Sequence, residues 1–312
     1  MEYLTSSQLR RLLSRSVKYG LRALPRVCIA SQPVASPRVS VIISTYNWSS
    51  VLRFAIRSVL WQTEQNFEIL VVGDGCTDDS ESVCRSFGDA RIRWHNLPVN
   101  FGNQFAANNA GIAMARADYI AYLGHDDVWH PDHLKTLLSA ATRDGADFAA
   151  SLVEMIGPEH SNYRLIAGYF PESGYDGKQG MSPSGLMHRR DVISRIGGWK
   201  DYRTIWRNPD VDLEYRAFEA GLKFVSTREL TVFKFNSTLR KNCYLEKPCH
   251  EQSAYTAHLE RRRWFMLREA MRIARLHIFK PPVRILEIAP APAPDTPGWN
   301  VAQYRKVRGL DQ

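Results

Sequence analysis

RVSVIISTYN, residues 38–47, is the stretch that decides the fold. Val39, Val41, Ile42 and Ile43 make a short, β-branched and nearly continuous apolar run, the pattern of a strand covered on both faces. It ends in Ser44-Thr45-Tyr46-Asn47, polar and without glycine. Working outward, SVLRFAIRSVLWQT (50–63) has helical spacing and FEILVV (67–72) repeats the buried-strand pattern. The loop GDGCTDDS (73–80) follows, then a short helix (79–87) and a third strand, IRWHNL (92–97). Another helix, AANNAGIAMARA (106–117), precedes YIAYL (119–123). Strands alternating with helices imply βαβ units and a mainly parallel α/β sheet flanked by helices. Ligands of such sheets sit beyond the carboxyl ends of the strands, so STYN (44–47), GDG (73–75) and HDD (125–127) are expected to converge.

The second half reads less cleanly. A helix over 132–143 leads to a strand, DFAASLVEMI (147–156), and residues 157–180 form an irregular excursion. SGLMHRRDVISRIGGW (184–199) turns from strand to helix, NPDVDLEYRAFEAG (208–221) is a helix, and KFVSTRELTVFKFN (223–236) is mostly β. Residues 253–279 read as one long basic helix with Trp264, Leu267, Met271 and Ala274 on one face, and 288–298 as a Pro/Ala linker. The organisation expected is a basic amphipathic extension (1–36), a central domain (37–240) and a basic helical extension (241–312).

The chain has 312 residues, 44% hydrophobic and 23% charged, enough for a full-sized core. Its net charge of +9 is concentrated at the ends: residues 1–30 hold six basic side chains against one acidic, and 260–290 eight against three. The remainder is near neutral, which argues against a nucleic-acid groove. Five cysteines without a CxxC pair fit a reducing compartment rather than a disulfide framework. No stretch has the length of a transmembrane helix or the form of a signal peptide, so a cytoplasmic location is expected. Leu9, Leu12, Leu13, Val17, Leu21 and Leu24 lie on one helical face opposite arginines, which suits either packing on the body or docking on an anionic membrane surface.

The chemistry gathers at the strand ends. Neither GxGxxG nor a Walker loop follows the first strand, so phosphate charge would need another neutraliser. Asp126 and Asp127 can hold a divalent cation, Mg²⁺ or Mn²⁺, that bridges to substrate phosphates; the competing reading is a helix cap ahead of Pro131. Asp74 can accept hydrogen bonds from a base or a ribose, and Tyr46 can stack on a base. Asp78 and Asp79 suit turn and cap duty. His125, His130 and His188 are expected in supporting or surface positions rather than as ligands.

VSVIISTYN, VVGDGCTDDS, YLGHDD, SGLMHRR…IGGW and NPDVDLEYR occur in an order that resembles the family 2 glycosyltransferases with the GT-A fold, over residues 38–238. The resemblance implies a nucleoside-diphosphate sugar donor, a UDP-sugar first, held by Ser44, Thr45, Tyr46, Asn47 and Asp74. It also implies ribose and metal contacts from Asp126 and Asp127, and Asp210 as general base with Asp212 in reserve. A carbohydrate or lipid-linked acceptor and inversion of configuration follow from the same likeness. Departures are Gly73 and Gly124 where the family often has acids, Pro209 where it has a glutamate, and no late histidine near Phe235-Asn236. Two rival readings are a nucleotidyltransferase, disfavoured by STYN, and a degenerate membrane-associated scaffold, disfavoured by the survival of all four acids.

Overall fold

A computed structural model describes residues 6–20, 26–161, 163–170, 174–177, 180–261, 264–279 and 296–311. The linker expected at 288–298 lies mostly outside the described residues. In chain order, helix α1 (Ser6–Gly20) precedes strand β1 (Val39–Thr45), α2 (Ser49–Leu60), β2 (Phe67–Gly73), α3 (Ser80–Ser86), β3 (Ile92–Asn96), α4 (Gln104–Met114) and β4 (Tyr119–Gly124). A two-residue strand β5 (Val128–Trp129) follows, then α5 (His133–Asp144), β6 (Phe148–Ile156), β7 (Arg164–Ala167), β8 (Leu186–Arg189) and α6 (Val192–Ile196). The chain closes with α7 (Pro209–Glu219), β9 (Phe224–Phe235), α8 (Cys243–Glu246), α9 (His250–Arg261), α10 (Phe265–Phe279) and α11 (Trp299–Arg308).

The strands form one mixed sheet in the order β3-β2-β1-β4-β8-β6-β9-β5, with β7 also on β6. Its first four strands are parallel, as the alternation required. Every residue of β2 is buried, because helices cover both faces. Beyond β4 the sheet changes character: β8 runs antiparallel to β4 and to β6, while β6 and β9 pair parallel with a register shift near Leu152. One charged group stands inside the parallel half. Glu68 of β2, fully buried, accepts from Ser40 Oγ (2.8 Å) and from the Arg116 amide (2.8 Å) and Nε (2.9 Å). Burial alone would push its carboxyl up, but these donors outweigh it and hold it below the ordinary range.

At the termini the reading needs two corrections. Residues 253–279 are two helices, α9 and α10, with a break before Phe265. The buried stripe of α10 is Phe265, Met266, Ala270 and Ile273, so Trp264 and Met271 are exposed. The amphipathic α1 packs on the body: Leu12 and Tyr19 are buried in the same cluster as α10, and Arg15 donates to the Thr227 carbonyl (2.8 Å). No described helix is long and apolar enough to cross a membrane.

Candidate active site

The register of the parallel strands brings the three loops level. Thr45 lies opposite Gly73 and Ser44 opposite Gly124, so β1, β2 and β4 end together. A cleft of about 410 Å³ opens there. Ser44, Thr45, Tyr46, Asp74 and Asp126 line it from the parallel half, and Asp210 lines it from the other. Six of the eight residues singled out from sequence thus meet in one place. Asn47 and Asp127 do not line the cleft.

Asp74 is 5% exposed and held by the chain ahead of α4. Its Oδ1 accepts from the Phe101 amide (2.9 Å), and its Oδ2 from the Gly102 amide (3.0 Å) and Asn100 Nδ2 (3.1 Å). Burial nevertheless leaves its carboxyl above the ordinary range. Gly75 packs closely against the chain ahead of α4. Its φ is +71°, and a Cβ there would lie 2.6 Å from the Val99 and Asn100 backbone.

Asn47 clasps the loop after β2. Its backbone is left-handed (φ 43°), and its Oδ1 accepts from the amides of Thr77 (2.7 Å) and Asp78 (3.2 Å). Asp78 returns the bond by accepting from the Ser49 amide at the start of α2 (3.0 Å) and from Ser80 in the first turn of α3 (3.1 Å). The turn-and-cap reading of Asp78 holds, and Asn47 joins it in closing the loop after β2.

The adjacent carboxylates 126 and 127 have different surroundings. Asp127 is fully buried: Oδ2 accepts from Ser184 Oγ (2.5 Å) and Lys234 Nζ (3.1 Å), and Oδ1 from the Phe235 amide (3.1 Å). Asp126 faces the cleft; His125, Lys234 and Arg308 outweigh its burial and keep its carboxyl below the ordinary range. Ser184 Oγ also accepts from the Gly124 amide (3.0 Å). A Cβ at Gly124 would come within 2.9 Å of Asp127 Oδ2 and 3.1 Å of Asp126 Oδ1, so this arrangement excludes a further acid there. His125 completes the wall, bonded to Thr45 Oγ1 (2.7 Å) and Tyr244 OH (3.1 Å).

These contacts test the metal expectation. Asp127 has both oxygens engaged, both ring nitrogens of His125 are taken, and Asn236 Oδ1 accepts from Thr238. Among the described residues no three His, Cys, Asp or Glu side chains form a cage for an ion. Of the two aspartates Asp126 is the one that lines the cleft, and it would be the residue to hold a divalent cation there.

Asp210 stands in the first turn of α7, after Pro209. Its carboxylate reaches the cleft and accepts from the Val211 amide (3.0 Å). Burial pushes it above the ordinary range. One turn on, Glu214 is fully buried, pushed up strongly by burial and then by Asp210, and accepts from the Met181 amide (2.8 Å). Asp212, the reserve candidate, is committed to Arg216 (2.7 Å). All three histidines considered are buried, and none is on the surface; His188 bonds Tyr122 OH (2.8 Å).

Several lining residues escaped the sequence reading: Ser184, Lys234, Tyr244, Arg305 and Arg308. Only Lys234 left a signal, a lone cation between Phe233 and Phe235 in an apolar strand. The others arrive through contacts distant along the chain.

Residues 40–196, half of the chain, match the model of "Glycosyl transferase family 2". The chain belongs to that family. An uncharacterized glycosyltransferase of Rickettsia prowazekii is 40% identical over 104 residues, 33% of this chain and 32% of the relative. One from Nostoc is 32% identical over 177 residues, 51% of this chain and 53% of its own. The family 2 chain thus spans between about a seventh and a half of the length of these and similar curated relatives. Among solved structures, S. aureus TarS 1–349 in complex with UDP-GlcNAc shares the fold, with a TM-score of 0.52 at 16% identity over 76% of this chain and 72% of that one. The GT-A architecture expected for this family 2 chain is the one observed.

Proposed function

We propose that the chain transfers a sugar from a nucleoside-diphosphate sugar, a UDP-sugar by preference, to a hydroxyl of a carbohydrate or lipid-linked acceptor in cell-envelope synthesis. One observation carries this reading: Asp74, Asp126 and Asp210, from three separate elements, line one cleft at the carboxyl ends of the strands. Tyr46 offers the base an aromatic face, with Tyr244 behind it (ring centroids 6.5 Å apart). Asp74 accepts from the base, and Asp126 faces the ribose and diphosphate. Asp210 takes the acceptor proton as the hydroxyl oxygen bonds to the anomeric carbon, and the electron pair of the breaking bond passes to the diphosphate. A single displacement of this kind inverts configuration. A divalent ion on Asp126 would offset the charge growing on the leaving group. The UDP-GlcNAc bound by TarS supports a UDP-sugar.

The test is calorimetric titration of UDP, GDP and dTDP, with and without Mn²⁺, on wild type and Asp126→Ala. Metal-dependent binding of one nucleotide, lost in the variant, is expected. Binding of none to the wild type under either condition would favour the degenerate-scaffold reading.

The lipid-linked alternative for the acceptor has its own support. Arg10, Arg11 and Lys18 of α1 are exposed, as are Arg268, Arg272, Trp264 and Met271 at α10. We propose that this surface meets anionic lipid. Flotation should recover the protein with anionic but not neutral liposomes; equal recovery in the soluble fraction would sink the idea.

A further inference from the structure

The cleft has a third wall that the parallel sheet does not supply. Helix α11 carries Arg305 and Arg308, three positions apart and so on one helical face, to the edge of the site. Arg305 is fully committed. Its Nη1 donates to the Gly102 carbonyl (2.6 Å), and its guanidinium pairs with Asp311 (2.7 Å). Gly102 belongs to the same short segment whose amides hold Asp74, so Arg305 ties α11 to the nucleotide side of the cleft. Val301 is buried beneath the helix, and the Val307 carbonyl accepts from the Asn242 amide (2.8 Å).

Arg308 differs. Among the described residues it has no ion-pair partner, and its buried Nε has no hydrogen-bond acceptor. It lines the cleft together with Asp126, His125, Lys234 and Tyr244. Lys234 reaches the same space but is already bonded to Asp127. The cleft therefore has an arginine whose buried Nε–H is unspent on the same lining as Asp126. An orphaned guanidinium is costly unless an anion completes it, and its planar fork matches phosphate oxygens.

We propose that α11 is part of the donor site and that Arg308 binds the diphosphate, taking up charge as the nucleoside diphosphate leaves. This rests on the donor reading above and extends it to a helix outside the matched family region. Arg305 is then a positioning residue, and the C-terminal helix a requirement for donor affinity.

Full-length wild type, Arg308→Gln and Arg308→Lys would be titrated by NMR with UDP, GDP and dTDP and with the matching nucleosides. Hydrogen bonds to charged groups predict that Arg308→Gln weakens the bound diphosphate roughly tenfold to a hundredfold. Nucleoside affinity should be unchanged, and lysine should recover part of the loss. Diphosphate affinity within twofold of wild type in Arg308→Gln would overturn the role of the helix. So would an equal weakening of nucleoside and diphosphate, which marks a structural effect. If the wild type bound no nucleotide, the donor reading itself would fall, and this proposal with it.

Discussion

The two halves of the sheet contribute to the cleft in different ways. The parallel half, β1 to β4, delivers Ser44, Thr45, Tyr46, Asp74 and Asp126 on short loops that leave strands aligned side by side. The mixed half, with the helices after it, delivers Asp210, Ser184, Lys234 and the arginines of α11 from positions 58 to 182 residues further on than Asp126. The first set suits recognition, since it is rigid and preformed. The second set suits chemistry and charge, because burial raises Asp210 and Lys234 is paired with Asp127. A binding platform built locally and a reactive wall assembled at long range can be perturbed separately.

The sharpest way to break that division is Asp210→Asn. Loss of a general base predicts a fall in kcat of about 10²–10⁴-fold, with nucleotide affinity measured by calorimetry unchanged. Weakened nucleotide binding would mean that the two halves are not separable. Wild type should give product of inverted anomeric configuration by NMR, and retention would point to a different mechanism. Because burial raises Asp210, the base loses its charge at a higher pH than a free aspartate. Transfer is therefore present above that raised value and lost as the pH falls through it. The acid limb should begin above the usual carboxylate range, and any residual activity of Asp210→Asn should lack it.

Lys234→Met probes the same wall at smaller scale. It leaves Asp127, whose side chain is fully buried, without its cation. Breaking a buried pair typically costs 3–5 kcal/mol; the lysine side chain is 23% exposed, so about 2–3 kcal/mol is expected here, read as a lower midpoint in denaturant. An unchanged midpoint would mean that Asp127 takes up a proton instead, as its carboxyl, pushed up to about 6 by burial, would allow.

What could be read from the sequence follows the same line. Periodicity and β-branched runs gave away β1, β2, β4 and their helices, since a strand covered on both faces leaves an unbroken apolar signature. The convergence of 44–47, 73–75 and 125–127 followed from the parallel-sheet rule. The fate of each carboxylate did not. Asp127 and Asp126 are neighbours in an acidic pair, and only Ser184, Lys234 and the Phe235 amide, more than fifty residues away, decide which one turns inward. The hold of Asn47 on the loop after β2 was likewise hidden, because its partners lie thirty residues on. Helix α11 could not be anticipated as part of the site, because its arginines resemble solvated surface charge until the fold carries them to the cleft.

The Glu68 cluster has a consequence for how the chain finds this arrangement. β1 and β2 are so uniformly apolar that sliding one past the other by two residues would keep the same faces inward, and hydrophobic burial would scarcely object. The pairing of Ser40 with Glu68 removes that freedom, since a slipped alignment would strand a buried charge away from its donors. The same pairing sets Thr45 beside Gly73 at the far end of the strands. The loops that line the cleft are thus brought level by an alignment key at the opposite end of the strands.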